Sequence, residues 1–340
     1  MSTHCIFRIS DLNEQFNDLV GKKCANLGVM ASLGLRVPQG FSLSLEAYKK
    51  FMRETGADKE IADFLESEGH SFDSIEQYNK ASEVMRGIVE SKKMPSDLED
   101  RIVSHYEEVC RQYNQDDVSV STRSAGTASH PGQYETYLNV KGGREVIEHI
   151  KKVWSSTFNP RSLSARKRAG VPLGSDPIGV AVIKMVEASS AGVMFTADPN
   201  TGDTSRIIIE ANWGLGESVV GGETMPDVYV LEKESLHIIE KKLGTKKRYI
   251  TVKEFGVREE ETTPEMSSSF CLTDEEAREI CRLGKTIEDH FGVPQDTEWA
   301  IDKDLDSPDN VVMLQARPEV IAKKKKPVDE ILDLMMSRLG

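Results

Sequence analysis

Alternating apolar and polar residues predict a pair of strands near the end of the sequence, at Asp296–Ile301 and Val311–Pro318. The stretch between them is rich in Asp, Ser, Pro and Asn, so a hairpin is expected. Because side chains repeat on one face at every second residue, Glu298, Gln315 and Arg317 should share a face. Carboxylate and amide oxygens suit Mg²⁺, and a neighbouring arginine suits phosphate. A half-buried hairpin with an incidental ion pair fits the same pattern.

The remaining hydrophobic pattern predicts a mixture of helices and strands. Apolar runs predict buried strands at Ile178–Val186, Ala191–Thr196 and from Ile207 into a glycine loop. Helical periodicity predicts helices over most of 44–115, over Trp154–Arg168 and over Thr273–Phe291. Thr273 is the expected N-cap of the last helix, and Glu276 completes a capping box. The lysine-rich segment Lys241–Lys253 is expected to be an exposed edge whose charge discourages further strand pairing.

Two glycine-containing stretches in the first half of the chain are candidates for phosphate binding. Val20–Met30 starts with a glycine-led turn into a short helix, where a lysine beside exposed N–H groups suits an anion. A strand over Val118–Ala125 enters the loop Gly126–Gln133, whose N–H groups and hydroxyls could hold a phosphate chain, with Arg123 at its base. A solvated lysine and a mobile surface hairpin are the alternatives. His130 in the loop is interpreted as an exposed, inert side chain.

The link between the two central apolar strands is a candidate hinge. An adenine could lie there against backbone N–H and C=O groups, with Met185 and Val186 as apolar walls. Two core strands without a ligand fit the pattern nearly as well. Glu210 and Glu217, beside a glycine loop, could reach a metal, but such carboxylates are more often structural or solvated.

Composition narrows the class of protein. The 340 residues carry a formal net charge of −13, which argues against a general nucleic-acid binder. The five cysteines are widely spaced without a Cys-x-x-Cys pair, a pattern typical of reduced thiols and not of a disulfide framework or zinc site. The first residues show no signal-peptide pattern, and the most apolar window is interrupted by charges, so a cytoplasmic location is expected.

Taken together, five of these segments resemble the ATP-binding part of the phosphoenolpyruvate synthase and pyruvate phosphate dikinase family, which rifampicin phosphotransferase shares. They follow one another in the family's order, at Val20–Met30, Arg123–Val140, Lys184–Thr196, Trp213–Val220 and Asp296–Pro318. The resemblance implies an ATP-grasp-like α+β fold with two lobes around a nucleotide cleft. The implied lobes are residues 1–186 and 187–320, followed by a basic linker and terminal helix at 321–340.

The resemblance also implies roles for individual residues. Lys23, Arg123 and Arg317 match phosphate-binding and catalytic positions, and Gly132 and Thr136 match the loop over the phosphates. Lys184, Met185 and Val186 match the adenine hinge. Glu298 and Gln315 match the ligands of Mg²⁺, with Asp296 beside them. The implied cofactors are ATP and Mg²⁺.

Two features depart from the family's pattern. The loop from Arg123 to Gly132 is shorter, reads Arg-Ser-Ala-Gly where relatives have Arg-Ser-Ser-Ala, and lacks an acidic stretch. The sequence also lacks the family's phosphohistidine motif, a Gly-Gly run followed by Ser-His-Ala-Ala. We therefore expect an ATP-binding subunit whose acceptor histidine lies on a separate partner chain, which also binds the small-molecule acceptor. A nucleotide-sensing regulatory protein without chemistry is the alternative of another class.

Overall fold

A computed structural model describes residues 5–68, 74–126 and 134–319. The chain mixes helices with antiparallel sheets, and the predicted α+β class is confirmed. Two compact units can be distinguished. Within the described residues, the first unit runs to Glu187 and includes Thr251–Glu259, and the second comprises Ala188–Ile250 and residues 260–319. The lobe boundary at 186/187 stays a prediction, and the predicted linker and helix at 321–340 lie outside the described residues.

The first unit combines helices with a five-stranded sheet. Its helices are α1 (Asn17–Val20), α2 (Lys22–Ser32), α3 (Leu45–Glu54), α4 (Ala57–Ser67), α5 (Ile75–Ser91), α6 (Ser96–Gln112), α7 (Gly143–Ser155) and α8 (Pro160–Arg168). Its strands are β1 (Ile6–Arg8), β2 (Gly40–Leu43), β3 (Val120–Ala125), β4 (Thr136–Val140) and β5 (Gly179–Lys184). They form an antiparallel sheet in the order β1-β2-β5-β3-β4.

The two faces of this sheet have different environments. Phe41, Val120 and Val182 point into the main hydrophobic core, which they share with buried residues of α3 to α8. Alternation along the strands therefore turns Ser121 and Arg123 to the opposite face. Arg123, a candidate for phosphate binding, is thus built on the reverse side of a packed core.

The helix predicted over Trp154–Arg168 is wrong as a single element. Helix α7 ends at Ser155, a 3₁₀ turn follows at Ser156–Phe158, and α8 begins at Pro160. Proline has no N–H and its ring clashes inside a helix, but it suits a first helical position. Asn159 caps the new helix by accepting a hydrogen bond from the Ser162 N–H. The chain therefore turns at Asn159.

The second unit is built on a six-stranded antiparallel sheet. Its strands are β6 (Ala188–Phe195), β7 (Arg206–Trp213), β8 (Asp227–Glu232), β9 (Ile238–Lys242), β12 (Gln295–Asp302) and β13 (Val311–Pro318), in the order β13-β12-β6-β7-β8-β9. Its helices are α9 (Glu217–Val220), α10 (Pro264–Ser268) and α11 (Asp274–Phe291). A two-stranded hairpin of β10 (Arg248–Val252) and β11 (Val257–Glu261) is divided between the units, with Thr251–Glu259 in the first.

Helix α11 packs on one face of the six-stranded sheet. A methyl group at Gly284 would come within 2.3 Å of Met194 Cε, so the helix approaches β6 closely at this glycine. The predicted capping box is confirmed, since Thr273 and Glu276 bond reciprocally at the start of α11. The opposite face of the sheet carries Glu298 and Gln315, described below.

The expectation of an exposed edge over Lys241–Lys253 is wrong at Lys246. Its side chain is fully buried and its Nζ lies 2.5 Å from Oδ1 of Asp227, which is also fully buried. Asp227 further accepts hydrogen bonds from the N–H groups of Gly244 and Cys271, at 2.8 and 2.9 Å. A buried charge is tolerated when it is paired and hydrogen-bonded, so this lysine anchors its segment instead of facing solvent.

Candidate functional site

In the first unit, the start of α2 lies against the end of β3. Gly21, the N-cap of α2, has φ of 85°, and a Cβ there would be 2.5 Å from the Ala125 carbonyl oxygen. Only glycine fits this contact. Burial raises the pKa of the Cys24 thiol to about 11, while a hydrogen bond with Ser42 and the charges of Arg123 and Lys23 oppose that rise. Both positive side chains therefore lie in the surroundings of Cys24.

Thr136 lies beside Arg123. The two residues are direct partners in the pairing of β3 with β4, and they share the face opposite the main core. Arg123 is half-buried and Thr136 is exposed. Lys23, Arg123 and Thr136 are thus gathered at one end of the sheet. Gly132 and His130 lie outside the described residues.

The predicted adenine hinge directly follows β5. Lys184 pairs with Val120, three residues along β3 from Arg123, which corresponds to about 10 Å. Met185 and Val186 are buried. The residues predicted to bind adenine and those predicted to bind phosphate therefore lie toward opposite ends of β3 and β5.

The hydrogen bonds of the hinge restrict how it could bind adenine. The Lys184 N–H donates to the Gln39 carbonyl at 2.9 Å, and the Met185 N–H donates to the Ser119 carbonyl at 2.8 Å. These two donors already have acceptors within the protein. An adenine at this position would use carbonyl oxygens or the main chain of Val186, a narrower role than the sequence predicts for the three residues.

In the second unit, four polar residues share one face of the β12–β13 pair. Glu298 lies directly opposite Gln315, and Asp296 lies opposite Arg317. Arg317 donates from Nε to Asp296 Oδ2 at 2.7 Å, and its Nη2 lies 2.5 Å from the same oxygen. The shared face agrees with the alternation of the sequence. The arginine is oriented by its cross-strand carboxylate.

A bulge follows the Glu298–Gln315 pair. The register shifts between Glu298 and Trp299, whose partner is Met313, so Leu314 is an extra residue in β13. A bulge increases local twist and re-aims nearby side chains. Trp299 itself is buried on the other face, so the hairpin is firmly packed behind its polar face.

Two carboxylates of this region, Asp296 and Glu210, have raised pKa values. Burial raises the pKa of Asp296 and Glu298 adds to the rise, while Arg317 opposes both. Burial alone raises the pKa of Glu210. Glu210 lies in the same cross-strand row as Glu298, two strands away through Val193, or about 10 Å. A positive charge near either carboxylate would lower its pKa and favour the ionised form.

The donor set fits a magnesium ion that is shared with a nucleotide. The described residues contain no group of three or more His, Cys, Asp or Glu side chains that could hold a metal. Mg²⁺ is commonly bound by one or two carboxylates and substrate phosphates, with water completing the octahedron. Glu298 and Gln315, side by side on one face, match that kind of incomplete site. Glu217, the other carboxylate noted in the sequence, is exposed at the start of α9.

Comparison with known proteins assigns the chain to a family. Residues 17–337 match the AMP/ATP-binding domain of pyruvate phosphate dikinase. The chain belongs to this family. The family resemblance predicted from the five motifs is confirmed, together with the ATP-grasp-like class of fold.

Its relatives include phosphoenolpyruvate synthases of archaea. The chain is 36% identical to a probable phosphoenolpyruvate synthase of Methanocaldococcus jannaschii, over 94% of this chain and 27% of the relative. It is 36% identical to phosphoenolpyruvate synthase of Aeropyrum pernix, over 96% and 43% respectively. For a probable phosphoenolpyruvate synthase of Archaeoglobus fulgidus the values are 37%, 95% and 42%. The chain spans less than half the length of these relatives.

The helices in the described ranges were compared with the requirements for crossing a membrane. None of the helices there combines the length and the apolar character needed to cross a lipid bilayer.

Proposed function

We propose that this chain binds ATP with Mg²⁺ and passes the β,γ-diphosphoryl group to a histidine of a partner protein, releasing AMP. The observation that carries the proposal is the face of β12 and β13, where Arg317, oriented by Asp296, lies beside the Glu298–Gln315 pair. The family of the chain and the gathering of Lys23, Arg123 and Thr136 in the first unit support it.

Each residue has a physical role in this proposal. Lys23, Arg123 and Arg317 would neutralise the negative charge of the phosphates and the charge that develops during transfer. Glu298 and Gln315 would hold Mg²⁺, which supplies charge neutralisation to the phosphate oxygens when bound. The remaining rate enhancement would come from positioning, since phosphoryl transfer needs little covalent chemistry from the protein.

The acceptor histidine is proposed to come from outside this sequence. No segment of the printed sequence matches the Gly-Gly run and Ser-His-Ala-Ala motif that carries the phosphohistidine in the family. We propose a separate polypeptide as its carrier, as in phenylphosphate synthase, with phenol as the final acceptor. A subunit of a split phosphoenolpyruvate synthase or of an antibiotic phosphotransferase is the alternative, and the names of the relatives favour the former.

The test is AMP formation from β-³²P-labelled ATP and Mg²⁺. The chain is assayed alone and with the protein of the same organism that carries the Ser-His-Ala-Ala motif, in the presence of phenol or pyruvate. AMP that requires the partner, with label on phenol, is the expected result. Label on pyruvate would keep the mechanism and replace the acceptor.

A nucleotide-sensing subunit is the alternative of another class, and the same assay separates it. A sensor would bind ATP tightly yet form no AMP with any partner, and Glu298→Ala would leave the partner's activity intact. Loss of partner-dependent AMP formation in Glu298→Ala would instead support chemistry at this chain.

A further inference from the structure

A network of polar groups fixes the residue that precedes Thr136. The Glu135 carboxylate accepts two hydrogen bonds from the Arg86 guanidinium, Nη1–Oε1 at 2.7 Å and Nη2–Oε2 at 2.9 Å. The Tyr137 hydroxyl donates to the same carboxylate. The Glu135 N–H donates to Ser156 Oγ at 3.1 Å. Helix α5, strand β4 and the 3₁₀ turn after α7 therefore all hold this one residue.

The partners of Glu135 are themselves fixed. Arg86 Nε lies 3.6 Å from Glu90 Oε1, which accepts a hydrogen bond from Ser155 Oγ at 2.5 Å. Ser156 Oγ donates to the Val153 carbonyl at 2.7 Å. The network thus ties α5 to the end of α7 before either contacts Glu135. A support of this kind is pre-organised, since its side chains are ordered by one another.

The Arg86–Glu135 pair differs from an ordinary surface ion pair. A solvated pair contributes little, because water screens it and two long side chains lose freedom. Here the Arg86 side chain is about three-quarters buried and the Glu135 side chain about two-thirds buried, at 26% and 34% exposure. The contact is bidentate, which is stronger and more directional than a single charged hydrogen bond.

The position of the network relates it to the proposed phosphate site. Glu135 contacts Arg86 on α5 and Tyr137 contacts His149 on α7, so Thr136 between them points the other way, toward Arg123. The network holds the start of β4 from one side and leaves the opposite side to the residues proposed to contact phosphate. A shift of Glu135 would move the Thr136 peptide relative to Arg123.

We propose that Arg86 and Glu135 are positioning residues for the phosphate end of the nucleotide. They set the main chain at Thr136 opposite Arg123, and neither touches the nucleotide itself. This inference rests on the proposed function, since it names the support of the same site.

The experiment measures the dissociation constants of ATP and AMP, both with Mg²⁺, for the full chain by calorimetry. The ratio of the two constants reports on the β,γ end, where the network acts. Glu135→Gln and Arg86→Lys should each lower the preference for ATP about tenfold, because the bidentate contact is lost. The double variant should lose no more than either single variant, because both changes break one contact.

Two control variants separate positioning from stability. Val89→Ala, at a fully buried residue of α5, should lower the melting temperature without changing the ATP-to-AMP ratio. Glu68→Gln removes the exposed ion pair of Lys80 on the same helix and should change neither quantity.

Each result decides the inference. An unchanged ratio in Glu135→Gln, or a fall that Val89→Ala reproduces, would overturn it. A wild-type chain without preference for ATP over AMP would refute the proposed function, and the inference with it.

Discussion

The two units assemble their polar residues in opposite ways. In the first unit, Lys23, Arg123 and Thr136 come from a helix and two strands, with about a hundred residues between the first and the other two. In the second unit, the four polar residues lie on adjacent strands of one hairpin; they are Asp296, Glu298, Gln315 and Arg317. Contacts between distant segments build the first site. The second site is built by the main-chain pairing of β12 with β13, the ladder of this hairpin.

This difference predicts where each site is vulnerable. The ladder fixes the spacing of Glu298, Gln315 and Arg317 by main-chain pairing, so the site needs only an intact sheet. The first site depends on contacts between distant segments, such as Gly21 against Ala125 and Arg86 with Glu135. Substitutions far from a ligand should therefore disturb the first site selectively, and the second site only through stability of its unit.

The largest expected effect tests the dependence of the second site on its sheet. Lys246→Met should lower the free energy of unfolding by about 3–5 kcal/mol, because it leaves the Asp227 carboxylate buried without its charge partner. Urea denaturation measures this loss. Under conditions in which the variant is folded, its preference for ATP over AMP should equal that of the wild-type chain.

A double variant provides the control for this pair. Lys246→Met combined with Asp227→Leu should recover part of the lost stability, since removing both charges avoids an unpaired one. A loss below about 1 kcal/mol in Lys246→Met would mean that the ion pair is not the anchor of this segment.

The second prediction concerns the ladder itself. Glu298→Gln should lower partner-dependent AMP formation about 100-fold, because it removes the carboxylate proposed to hold Mg²⁺ while keeping the shape of the side chain. The binding of ATP in the absence of Mg²⁺ should change little, so calorimetry with and without the metal separates the two effects.

A carboxylate of α11, away from β12 and β13, supplies the matched control. Glu279→Gln removes a partner of Arg282 on the surface of α11 and should leave AMP formation unchanged. Equal AMP formation by Glu298→Gln and the wild-type chain would exclude a role for Glu298 in chemistry.

The sequence predicts the local features of the fold well. The alternation around Glu298, Gln315 and Arg317 predicts the hairpin and the shared face of these residues, because strand periodicity is fixed by backbone geometry. The capping box at Thr273 is equally local. The cross-strand contact of Asp296 with Arg317 was within reach of the same argument, since Asp296 is two residues from Glu298.

Features that depend on contacts between distant residues cannot be predicted from local sequence patterns. The lysine-rich composition around Lys246 indicates an exposed edge, but the buried partner Asp227 is 19 residues away. The Arg86–Glu135 contact spans 49 residues and has no local signature. The hydrogen bonds that occupy the Lys184 and Met185 N–H groups likewise come from other segments. The sequence gives the types of these residues, but it does not show which distant residues they contact.

The smallest expected effect is a pH dependence at the end of the ladder. Burial raises the pKa of Glu319 from 4.5 to about 7; Asp296 and Glu288 add to the rise, and the Ala197 N–H and Lys233 oppose it. Between these values the folded chain binds a proton that the unfolded chain has lost, so stability falls as the pH rises from about 4.5 through 7.

Glu319→Gln should remove this loss, because a neutral amide has no charge to bury. The unfolding free energy of the variant relative to the wild-type chain should rise by about 1 kcal/mol between pH 5 and pH 8, a value kept small by partial solvent exposure. Asp203→Asn is the matched control. Hydrogen bonds from Ser205 lower the pKa of Asp203, so its stabilising effect is lost only below about pH 4. A flat difference for Glu319→Gln across this range would show that the ladder ends in a solvated carboxylate. The second site would then be supported by pairing alone, which would sharpen its contrast with the first.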